Sequence, residues 1–130
     1  MDHNLQPGLK GTQMITVGAS DTASHYGSGL IEVFATPAMV ALMEKTAQLS
    51  VQEHLPEGHI TLGTEISVSH VKATPVGSNV VCESHLVSAD GKKLLFKVSA
   101  HDEKGLIGEG THRRYIVEAS KFMEKLKQVQ

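Results

Sequence analysis

Hydrophobic positions along this chain change their period twice, and each change marks an element. From Ala38 to Met43 every residue is apolar, so a helix there is apolar on all sides over its first turns and has to be buried. Thr36-Pro37 marks its start, since Thr is a good N-cap and Pro is tolerated where a missing N–H costs nothing. Lys45, Gln48 and Gln52 then form a polar stripe that brings the second half to solvent, and Pro56-Glu57-Gly58 ends the helix. The pattern predicts about 18 residues, roughly 27 Å at 1.5 Å per residue.

Beyond this point the period falls to two. Ile60, Leu62, Thr64, Ile66, Val68 and His70 alternate with Thr61, Gly63, Glu65, Ser67 and Ser69, which predicts a strand with one buried face. Thr74 to Gly77 reads as a turn, Asn79 to Ala89 as a second strand and Asp90-Gly91 as a hairpin. Lys93 to His101 makes a third strand with Leu94, Phe96, Val98 and Ala100 on one side. Glu103-Lys104-Gly105 turns into a fourth, Leu106 to Val117. Ser120 to Val129 closes as a short amphipathic helix showing Phe122, Leu126 and Val129, and an early extended piece lies around Thr12 to Val17.

A buried helix followed by a run of antiparallel strands is an α+β layout in which the sheet must cover the helix. One curved antiparallel sheet wrapped around one long central helix is the hotdog arrangement. Such a sheet leaves an edge strand in need of protection, and a second copy pairing edge to edge supplies it, so a homodimer is expected.

Composition then removes several classes. A chain of 130 residues fits a single domain, 1–130, and buries roughly two-thirds of the surface its unfolded form exposes; only about 1–10 is expected to be loosely ordered. A net charge of −2 offers no broad basic surface for a phosphate backbone, so no nucleic-acid partner is expected. Cys82 has no second cysteine with which to form a disulfide or a redox pair, which favours a reducing compartment. No stretch approaches the ~18 apolar residues of a membrane span, and Met1 to Lys10 lacks an apolar signal core; the reading is cytoplasmic, with no membrane partner. The histidines do not pair as HxH, HxxxH or HExxH, Gly105, Gly108 and Gly110 miss the dinucleotide-loop spacing, and GxSxG is absent. Neither a metal nor a cofactor is expected.

Three side chains could carry chemistry. His70 ends an otherwise apolar row, as a core-edge histidine bonded to a carbonyl or as a general acid–base. Glu44 sits one turn past the wholly apolar part of the helix, on the boundary between core and solvent. Thr36 serves as a plain N-cap, or presents its hydroxyl at the positive end of the helix dipole. His112-Arg113-Arg114, with Lys121, Lys125 and Lys127, forms either a solvated face or a phosphate anchor.

The order and spacing of several segments resemble the fluoroacetyl-CoA thioesterase family over about residues 30 to 123. These are Val33-Phe34-Ala35-Thr36, Met39 to Glu44, Leu62-Gly63-Thr64 with Val68-Ser69-His70, Ala73-Thr74-Pro75, Val98 to Asp102 and Gly110-Thr111-His112. The resemblance implies a short-chain acyl-CoA thioesterase with Thr36, Glu44 and His70 as the catalytic set. It further implies Gly63 contacting the thioester carbonyl through its backbone, Arg114 at a basic position of the site, and a site near the dimer interface whose coenzyme A belongs to the substrate. Fluoroacetyl-specific members carry gating aromatic residues just before the central helix. Here that segment reads Tyr26-Gly27-Ser28-Gly29-Leu30-Ile31, which places Leu30 at the acyl pocket and predicts a broader short-acyl preference. A hotdog acyl-CoA hydratase or dehydratase and a non-catalytic acyl-CoA binding module are the alternatives.

Overall fold

In the computed structural model, which describes residues 5–129, the elements run β1 (Lys10–Thr16), α1 (Ala23–Tyr26), α2 (Thr36–Gln52), β2 (His59–His70), β3 (Asn79–Asp90), β4 (Lys93–Asp102), β5 (Gly105–Glu118) and α3 (Ala119–Val129). The five strands form one antiparallel sheet in the order β1-β3-β4-β5-β2, and α2 packs against it. On α2, Met39, Met43, Ala47 and Val51 recur every fourth residue and are fully buried, the stripe a helix needs to lie on a sheet. Alternation along β3 and β4 turns Val80, Cys82 and Leu86 inward with Leu94, Phe96 and Ala100 to meet it. Gly91, at φ 59°, carries the chain from β3 to β4, a conformation glycine adopts without steric cost.

The apolar run is not buried on every side. Ala41 is exposed and Val40 half-buried, so one flank of the helix start reaches the surface of the single chain. Between β1 and α2 the chain also forms α1 and a short 3-10 turn (Ala19–Asp21) that periodicity does not reveal, because neither contains a buried residue. Leu5 is buried, and Gly8 and Leu9 exchange backbone hydrogen bonds with Leu86. Residues 1–4, part of the stretch expected to be loosely ordered, lie outside the described residues. So does the side chain of Val129, expected on the apolar face of α3; the helix leaves Ser120 to Gln128 exposed.

β2 departs from the expected alternation. Gly63 lies opposite Arg114 and Glu65 opposite Arg113, so Thr64 is an extra residue in a β-bulge. The bulge moves the period by one. Thr61 and Gly63 face inward before it, Ile66, Val68 and His70 after it, while Ile60 and Leu62 belong to the other face. β2 is also an edge of the sheet, paired on one side only.

Because Met43 is fully enclosed, Met43→Ala is expected to lower stability by about 2–5 kcal/mol through lost burial and a residual cavity. Urea unfolding followed by circular dichroism measures it; a change below about 0.5 kcal/mol would mean that the helix–sheet contact is not the core.

Candidate active site

Thr36 is not the N-cap its context predicts. Ala35, with extended backbone, holds that position, Thr36 is the first helical residue, and no side chain caps the helix. The hydroxyl is therefore free for another partner, and it lies 2.8 Å from His70 Nδ1. His70 reaches it because the inward parity after the bulge aims the last side chain of β2 at the start of α2. Phe34 packs edge-to-face on the imidazole at 6.4 Å, and Nε2 is buried without a hydrogen-bond partner. Burial holds the pKa of His70 below its ordinary value, with the Lys72 backbone pulling the other way. The ring is thus neutral near pH 7 and able to accept a proton. Beside the pair opens a cavity of about 350 Å³ lined by Ala23, Ser28, Val33, Phe34 and Val71 among others.

The segment that follows His70 is anchored by Asp102, whose side chain is only 3% exposed. Its carboxylate accepts from Thr74 Oγ1 at 3.0 Å, from the Lys104 backbone N–H at 2.8 Å and from Lys72 Nζ at 3.4 Å. Burial pushes the Asp102 pKa up, but these bonds and the Lys72 charge prevail and hold it below the usual carboxylate value. The wall of the cavity at Val71, Lys72 and Ala73 is fixed in this way.

Glu44 lies apart from this pair within one chain. It follows Thr36 on α2 by eight residues, about 12 Å at 1.5 Å per residue, and it meets Gly63 instead. A Cβ at Gly63 would stand 2.9 Å from Glu44 Oε2, 3.2 Å from His112 Cε1 and 3.4 Å from Arg114 Nη1. Only glycine leaves these three groups room to converge. Arg114 is 8% exposed. It donates from Nε to Thr61 Oγ1 at 2.7 Å and from Nη2 to the Thr61 carbonyl at 2.9 Å. Burial lowers its pKa and the Glu44 charge opposes that.

Strand alternation splits the basic run. Arg113 turns outward to Glu65 at 3.2 Å while His112 and Arg114 are buried, and Lys121 on α3 pairs with Glu118 at 3.4 Å. Leu30 is 98% exposed and is not among the residues lining the cavity beside Thr36. Burial drives the Cys82 thiol up to about 11, which removes it as a nucleophile. Among the described residues no three His, Cys, Asp or Glu side chains gather as a metal site. Thr61 and His112 could not be read as partners of Arg114 from the pattern of residues, since the bulge that aligns them is invisible to a period-two reading. Asp102 stood within a segment carrying the resemblance, but its partner Thr74 is 28 residues away.

Comparison with known proteins places this architecture. A hot-dog-like protein from Thermanaerovibrio acidaminovorans, 21% identical, superposes with a TM-score of 0.86 over 94% of this chain and 90% of its own, and so shares the fold. The crystal structure of the fluoroacetyl-CoA thioesterase FlK superposes with a TM-score of 0.91 at 36% identity, covering 98% of both chains. The sheet wrapped on its helix, with this likeness at 36% identity, defines a hotdog-fold thioesterase. The fluoroacetyl-CoA thioesterase of Streptantibioticus cattleyicolor is 43% identical over 97 residues, 75% of this chain and 70% of that protein. Residues 17–120 match the family described as fluoroacetyl-CoA-specific thioesterase, and the chain belongs to that family.

His70 and His112 both have pKa values lowered from 6.5 by burial. The unfolded chain therefore takes up protons first as pH falls, so stability is complete above 6.5 and declines as pH drops toward the folded values. Thermal melts are expected to show this loss as pH falls below about 6.5, above the range where lowered carboxylates such as Asp102 contribute. His70→Gln should shrink it; an unchanged slope would show that His70 is not held neutral by the fold.

Proposed function

We propose that this protein hydrolyses short-chain acyl-CoA thioesters to the free acid and coenzyme A in the cytoplasm, as a homodimer, with no cofactor beyond the coenzyme A of its substrate. The observation that carries the chemistry is the 2.8 Å contact between Thr36 Oγ1 and His70 Nδ1, the spacing of a hydroxyl activated by a base. His70 Nδ1 takes the Thr36 proton as Oγ1 attacks the thioester carbonyl, then gives it to the departing thiolate; it next takes a proton from water as the water oxygen attacks the acyl carbon, and returns that proton to Thr36 Oγ1 as the acid leaves, with Glu44 orienting the imidazole. The N-terminus of α2 beside Thr36 favours the negative charge that develops on the carbonyl oxygen. The cavity beside the pair suits a small acyl group, and with no aromatic residue in the segment from Gly27 to Ile31 it suits acetyl to butyryl as well as fluoroacetyl.

A second copy resolves the separation of Glu44 from His70. Gly63 and His70 are seven residues apart on β2, the open edge of the sheet. Two β2 edges paired antiparallel about Ser67, with Thr64 of each bulge left out of the register, set His70 of one chain opposite Gly63, and so Glu44, of the other. In this arrangement each site takes Thr36 and His70 from one protomer and Glu44, Gly63 and Arg114 from its partner. The edge suits pairing, since Glu65 is its only Asp, Glu, Lys or Arg and no proline guards it. Leu30 and Ile31, exposed at 98% and 64% in one chain, gain a role here as apolar cover near the acyl group.

Thiol release from acetyl- through hexanoyl-CoA and fluoroacetyl-CoA is the direct test. Thr36→Ala, His70→Ala and Glu44→Gln are each expected to lower kcat about 10²–10⁴-fold, with Thr36→Ser largely active. Release of no thiol from any member, with hydration of an enoyl-CoA instead, would turn the assignment to a hydratase. Saturable binding without turnover would turn it to a binding module.

The shared site makes a second prediction. Equal mixing and refolding of His70→Ala and Glu44→Gln chains should restore about a quarter of wild-type activity, because half the dimers are mixed and each holds one intact site. If the mixture stays as inactive as its components, the site lies within one chain.

A further inference from the structure

His112 is fully buried on β5 yet lies outside the Thr36–His70 pair, and every contact it makes is accounted for by one protonation state. Its Nδ1 is 2.9 Å from the Glu65 carbonyl oxygen. A carbonyl only accepts, so Nδ1 carries the proton. Its Nε2 is 3.1 Å from Arg114 Nη1. A guanidinium only donates, so Nε2 must be an unprotonated acceptor. The two contacts together fix a neutral ring in one tautomer, and Phe96 holds its plane by stacking at 6.2 Å and 29°.

The third donor edge of the Arg114 guanidinium is thereby satisfied, the other two being taken by Thr61. A buried guanidinium is tolerated when its N–H groups are bonded, and bonds from three directions leave it a single orientation. That orientation brings Nη1 to the space over Gly63 where Glu44 Oε2 also lies.

We propose that His112 is a positioning residue: as a neutral acceptor it fixes the Arg114 guanidinium so that its charge faces Glu44 across Gly63. Protonation of His112 would turn Nε2 into a donor facing another donor, beside a like charge, and release Arg114. The charged groups facing the imidazole are Arg114 from its own strand and Glu44 from α2; β2 presents the Glu65 carbonyl, with the Glu65 side chain turned to Arg113, and β4 presents Phe96. Burial lowers the His112 pKa, the Glu65 carbonyl raises it, Arg114 lowers it and Glu44 raises it, with the net shift downward.

The kinetic arm rests on the thioesterase reading above; the spectroscopic arm does not. His112→Phe keeps the stack on Phe96 and removes the acceptor, and is expected to lower kcat about 10²-fold with little change in KM, the scale of a misplaced catalytic group. His112→Gln retains a donor for Glu65 and an acceptor for Arg114 and should recover most of that loss. The acid limb of wild-type log kcat against pH should approach a slope of about two, one proton each for His70 and His112, and fall to about one in His112→Gln. On the wild-type protein, 15N-edited NMR of the histidine rings should show His112 as the Nδ1–H tautomer at neutral pH and still neutral at a pH where exposed histidines have charged. Wild-type kcat and pH profile in a folded His112→Phe, or an Nε2–H tautomer by NMR, would overturn the proposal. A wild-type protein that released no thiol would overturn the functional reading alone, since the tautomer still decides this one.

Discussion

One inserted residue in one strand governs where the candidate site can exist. In an ideal strand, side chains an odd number of positions apart lie on opposite faces, and Gly63 and His70 are seven apart. The bulge at Thr64 cancels that parity and lets both face α2. Without it, a strand that sent His70 toward Thr36 would turn Thr61 and Gly63 to the outside, and Arg114 would lose the Thr61 oxygens that offset its burial. The hydroxyl–imidazole pair and the Glu44 cluster thus depend on the same local irregularity, although they lie at different ends of β2.

Much of the fold was legible because its signals were strong and local. An all-apolar start announced a buried helix, and the strands on either side of Asp90-Gly91 alternated cleanly enough to set both faces. What was not legible came from interactions between distant residues. The cap expected of Thr36 gave way to a bond with His70, 34 residues on, a competition no local propensity records. Alternation predicted one face for Ile60 through His70, because a bulge has no sequence mark of its own when the extra residue is a threonine, a good strand former. The basic run His112-Arg113-Arg114 looked like one feature, but on a strand it is two: a surface ion pair and a buried network.

The site contrasts two ways of handling polarity in a core. Around Arg114 each of the three guanidinium nitrogens finds an acceptor, and Thr61 and His112 offset the burial of its charge. Around His70 the ring keeps one side-chain hydrogen bond and a buried nitrogen without any. Satisfied networks rigidify, whereas under-satisfied groups hold chemical potential for a reaction. The first arrangement suits a scaffold and the second a base, which is the division of labour the proposed mechanism assigns to them.

The open edge of β2 carries a consequence of its own. Twelve residues of strand present backbone donors and acceptors along one side with a single carboxylate among them. Such an edge is a template that any extended segment can join. For a chain that pairs it with its twin, assembly hides the sticky surface and completes the two sites in the same act. A lone subunit would then be both idle and prone to mispairing, so synthesis in quantities that keep partners within reach becomes a condition of solubility as well as of turnover.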